Sequence, residues 1–86
     1  MSKSVFSEKY NRFRELLIEA RHKKNFTQAE VARRLEKPQS YVSKYELGER
    51  RLDVVEFLEV AGVLGINVCR FLQKLEEERT SAKKSL

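Results

Sequence analysis

Gln39, Ser40, Tyr41, Ser43 and Lys44 fall within six consecutive positions, and helical spacing turns all five outward from a narrow inner stripe of Val42 and Tyr45. One amide, three hydroxyls and one ammonium make a short, weakly cationic face of hydrogen-bond donors and acceptors. Such a face suits recognition of a polar, anionic surface. It does not suit covalent chemistry, because no nucleophile, base and orienting group stand together in the sequence. His22 is alone among lysines, Cys69 is the single cysteine, and no Cys/His cluster has metal-ligand spacing. No enzyme, metal centre, cofactor or small-molecule ligand is therefore expected. Cys69 reads as a small hydrophobe.

The elements that must position this face can be read from their ends. Thr27 offers an N-cap oxygen, Glu30 stands where a capping box closes, and Phe26 can staple onto Val31, so a helix starts at Thr27. Val31, Ala32 and Leu35 repeat at helical spacing until Glu36-Lys37-Pro38, where proline disfavours helical geometry in the residue before it. Pro38 suits the first turn of the helix that follows, and Gly48 suits its C-terminal cap. Upstream, from Ser4 or Ser7 to about Lys24, Phe6, Tyr10, Phe13, Leu17 and Ala20 recur on one face of an amphipathic helix, with Leu16 beside them. Downstream, Asp53 and Glu56 form a second capping box with Leu52 stapling onto Phe57, and the stripe Phe57, Leu58, Ala61 and Leu64 faces inward until Gly65. Asn67 caps a fifth helix in which Ile66 and Phe71 repeat the staple. The expected fold class is all-α, with five helices and two short ones joined by a tight turn.

Eighty-six residues make one small domain, too few for an ordinary enzyme with a deep cleft. The formal charge is +5, unevenly spread. Residues 1–51 carry thirteen Lys/Arg against seven Asp/Glu, whereas residues 52–86 carry five against six. The positive half holds the two short helices and points to a polyanionic partner. A single cysteine rules out an internal disulfide, no apolar run reaches membrane-spanning length, and the start MSKSVFSEKY has no apolar signal region. A cytoplasmic location away from membranes is the expectation.

The stretch FTQAEVARRLEKPQSYVSKYELGE resembles the lambda-repressor and Cro-type helix-turn-helix family, called XRE, whose pattern runs T-Q-x-x-[VL]-A, Q-S-x-[VI]-S and E-x-G. Thr27, Gln28, Val31, Ala32, Gln39, Ser40, Val42, Ser43, Glu46 and Gly48 carry the match, in one register, within a resemblance running from about Phe13 to Leu75. Glu36 replaces the usual turn glycine and Lys37 the usual aliphatic residue; a left-handed Glu36 carries about 1 to 2 kcal/mol of strain. The resemblance implies a five-helix lambda-repressor-like domain in which the third helix enters the major groove of double-stranded DNA. It implies base contacts from Gln39, Ser40, Ser43 and Lys44, with Gln39 suited to adenine and Lys44 to guanine or a phosphate. It assigns phosphate contacts to Gln28, Thr27, Tyr41, Arg50 and Arg51, and a partly buried ion pair to Arg21 and Glu46.

The last two helices hold more apolar side chains than one inner face requires: Val55, Val60, Val63, Val68, Cys69, Phe71, Leu72 and Leu75. A self-association patch built from Val63, Val68, Phe71, Leu72 and Leu75 is the expected use. The expected organisation is a DNA-binding and dimerisation domain over residues 1–79, with a disordered tail over 80–86. Together these readings describe a homodimeric, sequence-specific transcriptional repressor on an inverted-repeat operator. The alternative is an antitoxin-like module that binds a partner protein and its own promoter.

Overall fold

The computed structural model describes residues 7–84, with side chains described through residue 77. Five helices follow one another: α1 (Glu8–Lys23), α2 (Gln28–Leu35), α3 (Gln39–Leu47), α4 (Val54–Leu64) and α5 (Val68–Lys84). No strand occurs among the described residues. The expected stripe residue Phe6 lies outside them.

Four of the five helices begin at a side-chain cap, and α3 begins after Pro38 without one. Ser7 Oγ accepts from Tyr10 N at 3.0 Å, Thr27 Oγ1 from Glu30 N at 3.0 Å, and Asn67 Oδ1 from Arg70 N at 3.0 Å, each satisfying an amide that the first turn leaves without a partner. At α4 the reciprocal box is complete, with Asp53 Oδ1 accepting from Glu56 N at 2.8 Å and Glu56 Oε1 from Asp53 N at 3.0 Å. At α2 only half of the expected box forms. The Glu30 carboxylate turns instead to Arg33 at 2.6 Å and Arg34 at 3.1 Å, both one turn further along the helix. Pro38 also differs from expectation, sitting one residue before α3 as its N-cap, with extended ψ 155°, so the helix proper starts at Gln39.

Between α2 and α3 the chain reverses through Glu36, whose φ of 61° and ψ of 43° are left-handed. Lys37 N then bonds Ala32 O at 2.9 Å, closing the C-terminus of α2. Across this turn α2 and α3 stay packed on each other. Gly48 ends α3 with φ 86°, and a Cβ there would meet Arg14 Nε at 3.1 Å, so both backbone and neighbour favour glycine.

α2 packs on α3 and α4, while α1 packs on α3 and α5. The core is Leu16, Leu17, Val31, Ala32, Tyr41, Val42, Tyr45, Phe57, Val60, Ala61, Leu64 and Phe71. Burying each of the larger side chains contributes about 1.5 to 3 kcal/mol relative to exposure. An aromatic cluster joins three helices: Phe13 lies 5.3 Å from Phe57 and 5.7 Å from Phe71, which are 5.2 Å apart. Tyr10 extends it, 5.3 Å from Phe13, and its hydroxyl accepts from Leu52 N at 3.3 Å.

Two assignments on α4 reverse. Val60 is fully buried, whereas Leu58 is 48% exposed. In VVEFLEVAGVL nearly every angular position is apolar, so a stripe with Leu58 and one with Val60 look alike in sequence. The neighbours choose Phe57, Val60, Ala61 and Leu64. At the C-terminus α5 runs to Lys84, past the end expected at residue 79, because no proline or glycine intervenes and extending a nucleated helix needs no hydrophobic period. Residues 85–86 of the expected tail lie outside the described residues.

Candidate nucleic-acid interface

Beneath the outer face of α3 sits one buried carboxylate. Glu46, 6% exposed, is the buried charged residue of the core, and Arg21 from α1 grips it at two points, Nε to Oε2 at 2.7 Å and Nη2 to Oε1 at 3.0 Å. The same guanidinium donates from Nη1 to Phe26 O at 2.9 Å, tying the entry to α2 into the pair. With so little water present, removing either partner strands a charge and costs about 3 to 5 kcal/mol. Arg14, two turns earlier on the same face of α1, donates to the backbone carbonyl of Glu46 and to Asn11 Oδ1 at 3.0 Å. Sequence reasoning missed Arg14; its partner is 32 residues away and no local pattern announces it.

Gln28 opens α2 and was expected on a phosphate. Its amide is instead engaged at both ends within the protein: Nε2 donates to Glu46 Oε1 at 2.9 Å, and Oε1 accepts from Gln39 Nε2 at 3.4 Å. One Nε2 hydrogen stays available. Thr27 is likewise engaged as acceptor by its cap, leaving its hydroxyl proton to donate.

Above this network Gln39, Ser40 and Lys44 are exposed and Ser43 is half-buried, forming one polar face on α3. Tyr41 does not join them. Its ring is buried in the core, 8% exposed, edge-on to Tyr45 at 5.9 Å, and burial raises its phenol above the ordinary value. Helical spacing alone had turned it outward; the fold brings α4 and the loop after α3 around to cover it. The ring now acts as a platform, with Arg50 Cζ 4.6 Å and Lys37 Nζ 5.3 Å from its centre. Lys37, unremarked in sequence except as a departure from pattern, thus stands at the start of α3.

The two arginines after α3 diverge. Arg50 is held by Glu56 in a two-point pair, Nη2 to Oε2 at 2.8 Å and Nη1 to Oε1 at 3.1 Å. That guanidinium first, and the Asp53 amide second, hold the Glu56 carboxyl at about 2. Arg50 can meet a phosphate only by sharing itself with Glu56. Arg51 lies over the Tyr10 ring instead, with Cζ 4.2 Å from its centre.

A helix-turn-helix family model, HTH_3, matches residues 17–71, which span α2, the turn and α3 with their supporting helices. A solved structure described as an XRE-family like protein from Pseudomonas syringae pv. tomato str. DC3000 is 43% identical, with a TM-score of 0.82 and an alignment covering 90% of this chain and 94% of that one. This chain belongs to the XRE family of helix-turn-helix proteins.

No match is found among curated proteins. Membership and geometry together make this XRE-family domain a DNA-binding transcriptional regulator, on a fold that is typically non-enzymatic. No helix of the described residues is long and apolar enough to cross a membrane. They hold no group of His, Cys, Asp or Glu that could bind a metal ion.

The residues expected at a dimer interface separate into three groups in this XRE-family fold. Phe71 is core, buried among Phe13 and Phe57. Val63, Val68 and Leu75 are partly buried and pack against that core. Leu72 alone of the five is exposed, at 44%. It borders an apolar hollow of about 370 Å³ with Tyr10, Phe13, Leu75 and the exposed Val54. The sequence overcounts the surplus because α5 closes the aromatic cluster with the very side chains that looked spare.

Proposed function

We propose that the protein is a homodimeric repressor that reads an inverted-repeat operator with α3 in the major groove. The polar face of α3 carries this reading: Gln39, Ser40 and Lys44 stand exposed while the opposite side of the helix is locked into the core. Gln39 offers an amide to adenine, Lys44 reaches guanine or a phosphate, and Ser40 and Ser43 fill nearer positions. Thr27, the remaining Nε2 hydrogen of Gln28, Lys37 and Arg51 serve the phosphates, helped by the N-terminus of α2. Tyr41 contributes by carrying Arg50 and Lys37 on its ring. The basic half of the chain, which contains all of these, supports the same reading.

Selection of bound sequences from a random DNA pool tests it, with an inverted repeat as the expected result. On the selected site Gln39→Ala should cost about 1 to 3 kcal/mol and relax preference at one base pair. Arg51→Ala should weaken binding to every sequence and lower the salt slope by about one. Equal loss of specificity from both changes would overturn the division between base and phosphate contacts.

A further inference from the structure

The guanidinium of Arg50 is held on three sides. Glu56 takes its outer end at two points, Nη2 to Oε2 at 2.8 Å and Nη1 to Oε1 at 3.1 Å, and Arg51 O accepts from Nη1 at 3.2 Å. The Tyr41 ring lies against one face, its centre 4.6 Å from Cζ. Glu56 is itself anchored, because its Oε1 also accepts from Asp53 N at 3.0 Å in the capping box that starts α4. Three of the five N–H donors of Arg50 are therefore engaged, which leaves the Nε hydrogen and the second Nη2 hydrogen. Those two lie side by side along one edge of the plane, the arrangement that grips a phosphate with two bonds.

Long-range charge and short-range geometry separate at this residue. Glu56 stays ionised, with its carboxyl at about 2, and offsets the attraction of Arg50 for distant phosphates. The open edge still offers a grip to one phosphate that arrives in the guanidinium plane. We propose that Glu56 is a specificity-determining residue: it withholds Arg50 from DNA in general and leaves one edge of it to a phosphate placed by correct docking of α3. This rests on α3 being the DNA-reading helix. In a chain of charge +5 such restraint has a use, because attraction to phosphates is the same for every sequence and strengthens binding to the wrong ones.

The test compares affinity across salt for the full chain on two duplexes, a site selected from a random DNA pool and a shuffled duplex of the same composition. Glu56 lies outside the core, and Glu56→Gln keeps an acceptor for Asp53 N, so the cap survives while the charge goes. This variant should bind the shuffled duplex about threefold to tenfold more tightly at low salt, with a salt slope steeper by about one. Affinity for the selected site should rise less, so preference for it falls about threefold. Combined with Arg50→Met, the same change should leave slope and preference as they are in Arg50→Met alone. Unchanged or weaker binding of Glu56→Gln to the shuffled duplex would overturn the proposal and leave the pair as a support for the start of α4. A gain of full size that persists without Arg50 would also overturn it, assigning the effect to net charge. A wild type that selects no site would overturn the reading of α3 itself.

Discussion

Glu36 holds a left-handed backbone without the glycine that relieves it. Its side chain is exposed, so nothing in the core depends on it. Glu36→Gly should therefore raise stability by about 0.5 to 1 kcal/mol, the strain removed less the larger freedom glycine has when unfolded. A denaturant midpoint shifted upward at constant slope is the expected result; a lower midpoint would mean the turn is relaxed around glutamate. Glu56 makes a prediction about acid. Its carboxyl is held at about 2, against an ordinary 4.5, by Arg50 and the Asp53 amide. A depressed acid contributes stability above its unfolded value and loses it as pH falls through its folded value, so the loss belongs between about 4.5 and about 2. Glu56→Gln should flatten the decline of Tm across that window, most visibly at low salt because the pair is partly exposed. A decline as steep as in the wild type would assign the acid sensitivity to other carboxylates.

Helices here were legible in proportion to how local their signals are. The caps at Thr27, Asp53 and Asn67 are set by residues three apart and each forms its expected bond, while of the two possible starts, Ser4 and Ser7, it is Ser7 that caps α1. Which way a helix faces was less legible where it is apolar all round. On α4 the choice between Leu58 and Val60 belongs to α2 and the rest of the core, and on α5 the role of Phe71 belongs to Phe13 and Phe57. If α5 is part of the core and not an appended arm, Phe71→Ala should cost about 3 to 5 kcal/mol of folding stability by chemical denaturation. A cost under about 1 kcal/mol, usual for surface positions, would place Phe71 outside the cluster.

For the molecule as a whole, the proposed two-fold dimer would use one patch twice, and the apolar hollow bordered by Leu72, Leu75 and Val54 offers such a patch. Leu72→Glu should leave the monomer folded, because this side chain is exposed, while weakening self-association in sedimentation and affinity for the full operator. With half-site centres about 34 Å apart, inserting half a helical turn of DNA between them should abolish cooperative binding by the wild type. A monomeric wild type with full affinity would assign the hollow to another use. The amino-acid sequence by itself determined the helix count and the helix-turn-helix register, because capping and periodicity are written in neighbouring residues, while the Arg21 and Glu46 partnership, 25 positions apart, was legible only through the family resemblance. The tertiary structure alone decided that Tyr41 is a buried platform, that Arg14 reaches the end of α3, and that Gln28 links Glu46 to Gln39. Those are contacts between residues 11 to 32 positions apart, or matters of which neighbour covers a side chain, and they come into being only when the helices pack.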